Sequence, residues 1–305
     1  MNRLVGKPLT AAACLGALAA LLAAGPAGAV RRDARAGPLA RYAGKGSVAV
    51  LYAGSLVDYM EHSFGPAFER TEGYGFEGFG GGSTELASEI KAGVRSGDVF
   101  VSAAATADKA LEGTANGKWV SWYSAFVASP LELAYNPNSK FGAELRRGVA
   151  WYHVLTQPGI RVGRTDPKLD PKGVLTAEAI ASAAHRLHDP ALAKAAGGFE
   201  VFPETGLVGR LQAGQLDAGF FYAVEAKTAK LATVPLTPIY KYAEYTVTIL
   251  NRAPDPAGAE AVVRYLLGTA RAYTLKRDGL QPMTPRFSGR PSAVPSTLRR
   301  LVGAR

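Results

Sequence analysis

At 305 residues, 48% hydrophobic and 20% charged, the chain has the composition of an ordinary soluble globular protein with room for two domains or one large one. Its single cysteine, Cys14, lies in an N-terminal apolar run, so once that run is removed thiol catalysis, thiolate metal ligation and disulfides are excluded. The formal net charge of +10 suits an anionic ligand, a membrane surface or nucleic acid. Much of the excess is terminal, from Arg31, Arg32, Arg35 and Arg41 to Arg299, Arg300 and Arg305, and reads as solvated tails.

The first 29 residues have the layout of an export signal. Arg3 and Lys7 precede an uncharged stretch from Leu9 to Ala24, and Ala27 and Ala29 form an A-x-A site before Val30. The stretch is shorter than the about 20 residues of a membrane span; a retained anchor is the alternative. Cys14 comes too early in it to be a lipid site. Cleavage after Ala29 removes Arg3 and Lys7, leaving a mature charge of +8. Residues 30–45, rich in Arg, Gly, Ala and Pro, read as a flexible linker.

From Ser47 the pattern predicts alternating strands and helices. Val48 to Tyr52 is a strand, Leu56 to Arg70 a helix, Gly75 to Phe79 a strand, and Thr84 to Val94 a helix with Leu86, Ile90 and Val94 on one face. Asp98 to Ser102 and Thr106 to Glu112 repeat the rhythm, which is that of a parallel sheet flanked by helices. A second unit begins near Ala128, with strands at Leu131 to Tyr135, Arg161 to Gly163 and Asp217 to Tyr222. Its helices are expected at Leu175 to Leu187, Gly206 to Ala213 and Ala223 to Leu231. A strand at Tyr245 to Leu250 and a helix at Ala257 to Leu267 follow.

Three features fall at the carboxyl ends of strands, where open α/β sheets bind ligands. In Ala53-Gly54-Ser55-Leu56 the glycine permits a tight turn, and Ser55 either caps the next helix or joins free backbone N–H groups in holding an anion. Gly81-Gly82-Ser83-Thr84 repeats the arrangement with Ser83. One such serine is usually a plain helix cap; two in consecutive loops of one sheet aim both helix starts at the same crevice. The third feature is Gly219-Phe220-Phe221-Tyr222, whose tyrosine is either core or a hydroxyl donor in the cleft. Beside it, Asp166 to Gly173 is either a turn-rich loop or a source of backbone amides for the opposite wall.

These loops, in this order and spacing, resemble the molybdate/tungstate-binding proteins of bacterial and archaeal ABC importers, over about Ser47 to Pro295. The resemblance implies an α/β, two-lobed periplasmic-binding-protein fold of type II, each lobe a mixed sheet flanked by helices. Lobe 1 would comprise 46–128 and 241–305, and lobe 2 would comprise 129–240. It implies that Ser55, Ser83 and Tyr222 donate to a tetrahedral oxyanion, with a backbone N–H from Lys172. One subgroup adds carboxylates; Asp170 stands at the position of one, whereas Phe221 replaces a glutamate, so the ligand is read as a plain tetrahedral dianion held by hydrogen bonds. Sulfate remains compatible. The implied partners are the oxyanion and a membrane ABC permease, the state is monomeric and exported (periplasmic or extracellular), and no nucleic acid, cofactor or catalysis is expected.

Rival readings are weaker. His185 and His188 form an H-x-x-H pair without a third metal ligand, and Ser55 lacks the G-x-S-x-G elbow of a secreted hydrolase. A ferric ion binder would need tyrosines and carboxylates to converge, and Tyr240, Tyr242, Glu244 and Tyr245 come nearest.

Overall fold

The computed structural model describes residues 44–268 and 272–304. The leader and the linker up to residue 43 lie outside the described residues, all of which fall in one compact unit, Leu39–Arg305. No helix among them is long and apolar enough to cross a membrane.

Ten strands form one mixed sheet: β1 (Ser47–Ala53), β2 (Gly75–Gly81), β3 (Val99–Ser102), β4 (Trp122–Tyr135), β5 (Val162–Thr165), β6 (Glu200–Phe202), β7 (Ala218–Tyr222), β8 (Ala232–Pro235), β9 (Tyr242–Ile249) and β10 (Gln281–Gly289). Their main order is β2-β1-β3-β9-β4-β7-β5-β6, with β8 and β10 also pairing β4. β1 runs parallel to β2 and β3, and β7 parallel to β5 and β5 to β6; β9 and β4 join the two groups in antiparallel fashion.

The apolar run of β1 follows from burial on both faces, as parallel strands require. Val48, Val50 and Tyr52 pack with Phe64, Phe68 and Val262 on one side, while Leu51 meets Leu86, Ile90 and Phe100 on the other. The expected helix from Leu56 to Arg70 is not uniform. A 3-10 turn, Gly54–Leu56, leads through Val57–Tyr59 to a π-turn at Met60–Phe64 before the α-helix Gly65–Glu72. Pro66 has no N–H to give the preceding turn, and the wide turn places it in the first turn of a fresh helix, where none is needed.

β4 is the largest departure from the sequence reading. Its 14 residues extend well before Leu131. Residues up to Pro130 pair with β9 and β10, and those from Leu131 pair with β7 and β8. Pro130, lacking a ladder donor, stands where the neighbours change.

Several carboxyls are buried in this framework outside the serine loops, Asp108 most completely. Asp108, on the helix Ala105–Lys109, is fully buried, and its Oδ2 accepts from Ser102 Oγ at 3.0 Å and Thr246 Oγ1 at 2.5 Å. Burial pushes its carboxyl up to about 7, with the Thr246 and Ser102 hydroxyls opposing. A carboxyl pKa raised on folding gives stability that is present below the unfolded value near 4 and lost as pH rises towards 7. At 1.36 kcal/mol per pH unit this amounts to up to about 4 kcal/mol. Asp108→Asn is expected to remove that slope, which urea unfolding at pH 4.5 and 7.5 would measure.

Candidate functional site

The two serine loops and the Lys172 helix meet at a buried polar cluster. Neither serine caps a helix. Ser55 lies within the Gly54–Leu56 turn, Ser83 is the first residue of the helix Ser83–Lys91, and neither start has a side-chain cap. Their hydroxyls turn inward instead. Ser55 Oγ is 2.8 Å from Tyr245 Oη, and Ser83 Oγ accepts the Ala103 N–H at 3.0 Å. Ser83 therefore keeps its own proton to donate, and the Ser55–Tyr245 pair keeps one of its two.

Tyr222 ends β7, fully buried, with its ring edge-on to Tyr245 at 6.0 Å between centroids. Its hydroxyl has no hydrogen-bond partner among the described residues. Burial, with the nearby carboxylates, holds both phenols well above their usual value, so both remain O–H donors at neutral pH.

Asp170 and Lys172 open the helix Pro171–Arg186. Asp170 is its N-cap, and Oδ1 accepts the Lys172 N–H at 3.3 Å. The backbone N–H expected to face a ligand is thus already engaged. The Lys172 side chain, fully buried, places Nζ 3.0 Å from Glu204 Oε1 and 2.9 and 2.7 Å from the two oxygens of Glu225. Burial alone would lower the ammonium's pKa, but Glu204, Glu225 and Asp170 outweigh it and raise it, so Lys172 stays charged. Burial raises all three carboxyls, Glu204 most, against the pull of Lys172. Asp170 Oδ2 and Glu204 Oε2 have no protein donor.

The serine-loop glycines serve close approach. Gly54 and Gly82 have ordinary negative φ, so neither is there for a left-handed turn. A methyl on Gly54 would lie 1.6 Å from Glu204 Oε2, and one on Gly82 would lie 2.6 Å from the Leu169 carbonyl. The Glu85 N–H bonds that same carbonyl at 3.0 Å. Glu204 borders two cavities: one of about 250 Å³ shared with Gly54, Ser55 and Glu225, and one of about 210 Å³ shared with Gly82 and Asp170. The arrangement offers several O–H donors, one ammonium and an excess of carboxyl groups, with no nucleophile–base pair.

The match to the bacterial extracellular solute-binding protein model runs over residues 48–281, most of the chain. The chain belongs to that family. A Haloferax volcanii protein named as a candidate ABC transporter molybdenum-binding protein is 32% identical over 248 residues, 81% of this chain and 75% of its own. An uncharacterized solute-binding protein of Halobacterium salinarum is 26% identical over 283 residues, 83% and 90% of the two chains. Among solved structures, the Azotobacter vinelandii periplasmic molybdate-binding protein superposes with a TM-score of 0.61 at 17% identity, covering 79% of this chain and all of its own. The sulfate-binding protein of Mycobacterium tuberculosis gives 0.58 at 16%, covering 78% and 87%. These likenesses place the mixed sheet and its helices among periplasmic binding proteins.

In this solute-binding protein, Ser55, Tyr222, Asp170 and Lys172 join one connected cluster, and Ser83 adjoins it through Gly82, where an added methyl would lie 3.4 Å from Asp170 Cβ. Sequence reasoning missed Glu204 and Glu225, and named Tyr245 only for a ferric site. Glu225 had a signal: it follows Tyr222 by three residues at the start of the helix Ala223–Thr228, the spacing of a capping box. Glu204 had none. Tyr240, Tyr242 and Tyr245 do not converge, because the first two are exposed at 65% and 44% while Tyr245 is buried. Among the described residues no cluster of three or more His, Cys, Asp or Glu is placed to hold a metal ion.

Proposed function

We propose that this solute-binding protein is the capture component of an ABC importer and that its solute is a small tetrahedral oxyanion, molybdate or tungstate before sulfate. The observation that carries the reading is the Tyr222 hydroxyl, fully buried and unpartnered beside the Ser55–Tyr245 pair and the Lys172 ammonium. A permanently deprotonated oxyanion needs donors only, and hydroxyls, backbone amides and an ammonium supply them. Hydrogen bonds to a charged acceptor contribute about 1.5–3 kcal/mol each, so a handful supports micromolar or tighter binding after entropy losses. The molybdenum- and molybdate-binding names of the relatives favour that ligand, and the sulfate-binding likeness keeps sulfate in the test.

The reading includes export, a membrane permease as partner, a monomer, and no catalysis. It also takes residues 46–128 with 241–305 and residues 129–240 as lobes that close on the ligand. Titration calorimetry with molybdate, tungstate, sulfate and phosphate tests it. Tight 1:1 binding of the first two, with sulfate at least a hundredfold weaker, is the expected result; no heat with any of the four would overturn it. Ser55→Ala and Ser83→Ala are each expected to weaken binding by about 1–3 kcal/mol. Parent affinity in both would remove the serines from the site.

A further inference from the structure

Glu204 has one carboxylate oxygen with no place in the hydrogen-bonding scheme so far. It sits on the 3-10 turn Glu204–Gly206, between β6 and the helix Leu207–Gln212, and is 6% exposed. Oε1 is taken by Lys172 Nζ, while Oε2 is buried, without a protein donor, and turned against the Gly54–Ser55 loop. The groups facing it are Lys172 and Asp170 from the start of one helix, Glu225 from another, and the phenols of Tyr222 and Tyr245. Asp58, Thr205 and Thr228 also line its first cavity, and Asp166 and Glu85 line its second.

The innermost groups do not balance. One ammonium meets three carboxyls, so full ionisation leaves two negative charges in excess inside a cluster that water scarcely reaches. A dianion brought to the Ser55 side of Glu204 adds two more. A buried charge without a partner neutralises by changing its protonation rather than remaining ionised. Glu204 has the means: protonated at Oε2, it becomes an O–H donor aimed at the oxyanion, while Oε1 continues to accept from Lys172.

Resting on the oxyanion reading above, we propose that Glu204 is a further ligand-binding residue, which takes up a proton when the oxyanion arrives and donates it in a hydrogen bond to the ligand. Capture is then proton-linked. A proton leaves solvent for Glu204 Oε2, no covalent bond to the oxyanion forms, and release returns the proton. The direction agrees with the carboxyl pKa, which burial raises even without a ligand. Binding tightens as pH falls, although molybdate, tungstate and sulfate do not themselves titrate near neutrality.

Calorimetry of the mature protein with molybdate, tungstate and sulfate, in paired buffers of different ionisation enthalpy, counts the protons directly and needs no variant. The expected result is uptake of about one proton per oxyanion at pH 8, with affinity weakening up to about tenfold per pH unit between 7 and 9. Glu204→Gln keeps a donor but cannot titrate. It is expected to lower the count by one and flatten the pH profile. Tight binding with no buffer dependence and no pH slope would overturn the proposal and leave the oxyanion reading intact, as would the parent's proton count persisting in Glu204→Gln. Absence of binding at any pH would remove the oxyanion reading, and this proposal with it.

Discussion

Gly54→Ala is expected to weaken oxyanion binding by about a hundredfold or more, roughly 3 kcal/mol, while the protein stays folded. The added methyl would stand 1.6 Å from Glu204 Oε2, 2.7 Å from its Cδ and 3.2 Å from Thr205 Cγ2. Glu204 cannot swing away cheaply, because Lys172 holds its other oxygen and the side chain is buried. The remaining relief is to separate the Gly54–Leu56 turn from the Glu204 turn, which pulls Ser55 from the donors gathered around Tyr222. The strand pairing of β1 with β2 and β3 does not pass through this contact, so the fold should survive. Gly206→Ala is the control, since a methyl there meets nothing within 4 Å. Calorimetry on both, with thermal melts to confirm folding, decides the matter; parent affinity in Gly54→Ala would mean that the bound form lacks this contact.

Lys172→Met should cost stability more than any other single change in the cluster, by about 3–5 kcal/mol. The ammonium makes three bonds to two buried glutamates, and methionine would leave both carboxyls in a dry site without their cation. For a chain of this size that corresponds to a fall in Tm of roughly 10 °C. The pH dependence follows from the raised carboxyl pKa values of Glu204 and Glu225. A carboxyl raised on folding stabilises most when protonated, and that advantage is lost as pH climbs through its folded value. Without Lys172 the folded values rise further, so the deficit should be greatest at pH 8 and shrink towards pH 5. Glu225→Gln in the Lys172→Met background is expected to recover part of the loss, because it removes one uncompensated charge. A deficit independent of pH would place the cost in lost packing of the lysine stem.

The residues that the sequence made legible are those whose role follows from a local pattern. β1 and β7 stand out as apolar runs because both faces of the sheet are covered, and the glycine-serine loops stand out as breaks between strand and helix. Pro130 hid β4, because a proline interrupts a strand reading that begins at Leu131 and conceals the pairing of Trp122 to Ala128 with other neighbours. The Lys172 side chain and its partners Glu204 and Glu225 were opaque for a different reason. Charged side chains are presumed solvated unless a partner is known, and Glu204 and Glu225 lie 32 and 53 residues from Lys172 along the chain. Only the folded backbone brings them within 3 Å. The serine loops were singled out for their glycines and helix starts, whereas the hydroxyls answer to Tyr245 and Ala103, which those local signals do not point to.

The double allegiance of β4 also bears on the order in which the molecule can assemble. The group containing β1, β2 and β3 is completed by β9 and β10, which lie more than a hundred residues later in the chain. Until Tyr242–Ile249 has been made, one edge of β3 and the first half of β4 have no partner, although β5 to β8 can already gather on the second half of β4. Contacts that must wait for distant residues are slow to form, and open strand edges invite association in the meantime. A polypeptide with this topology is better suited to being held unfolded until its whole length is available than to folding stepwise as it is synthesised.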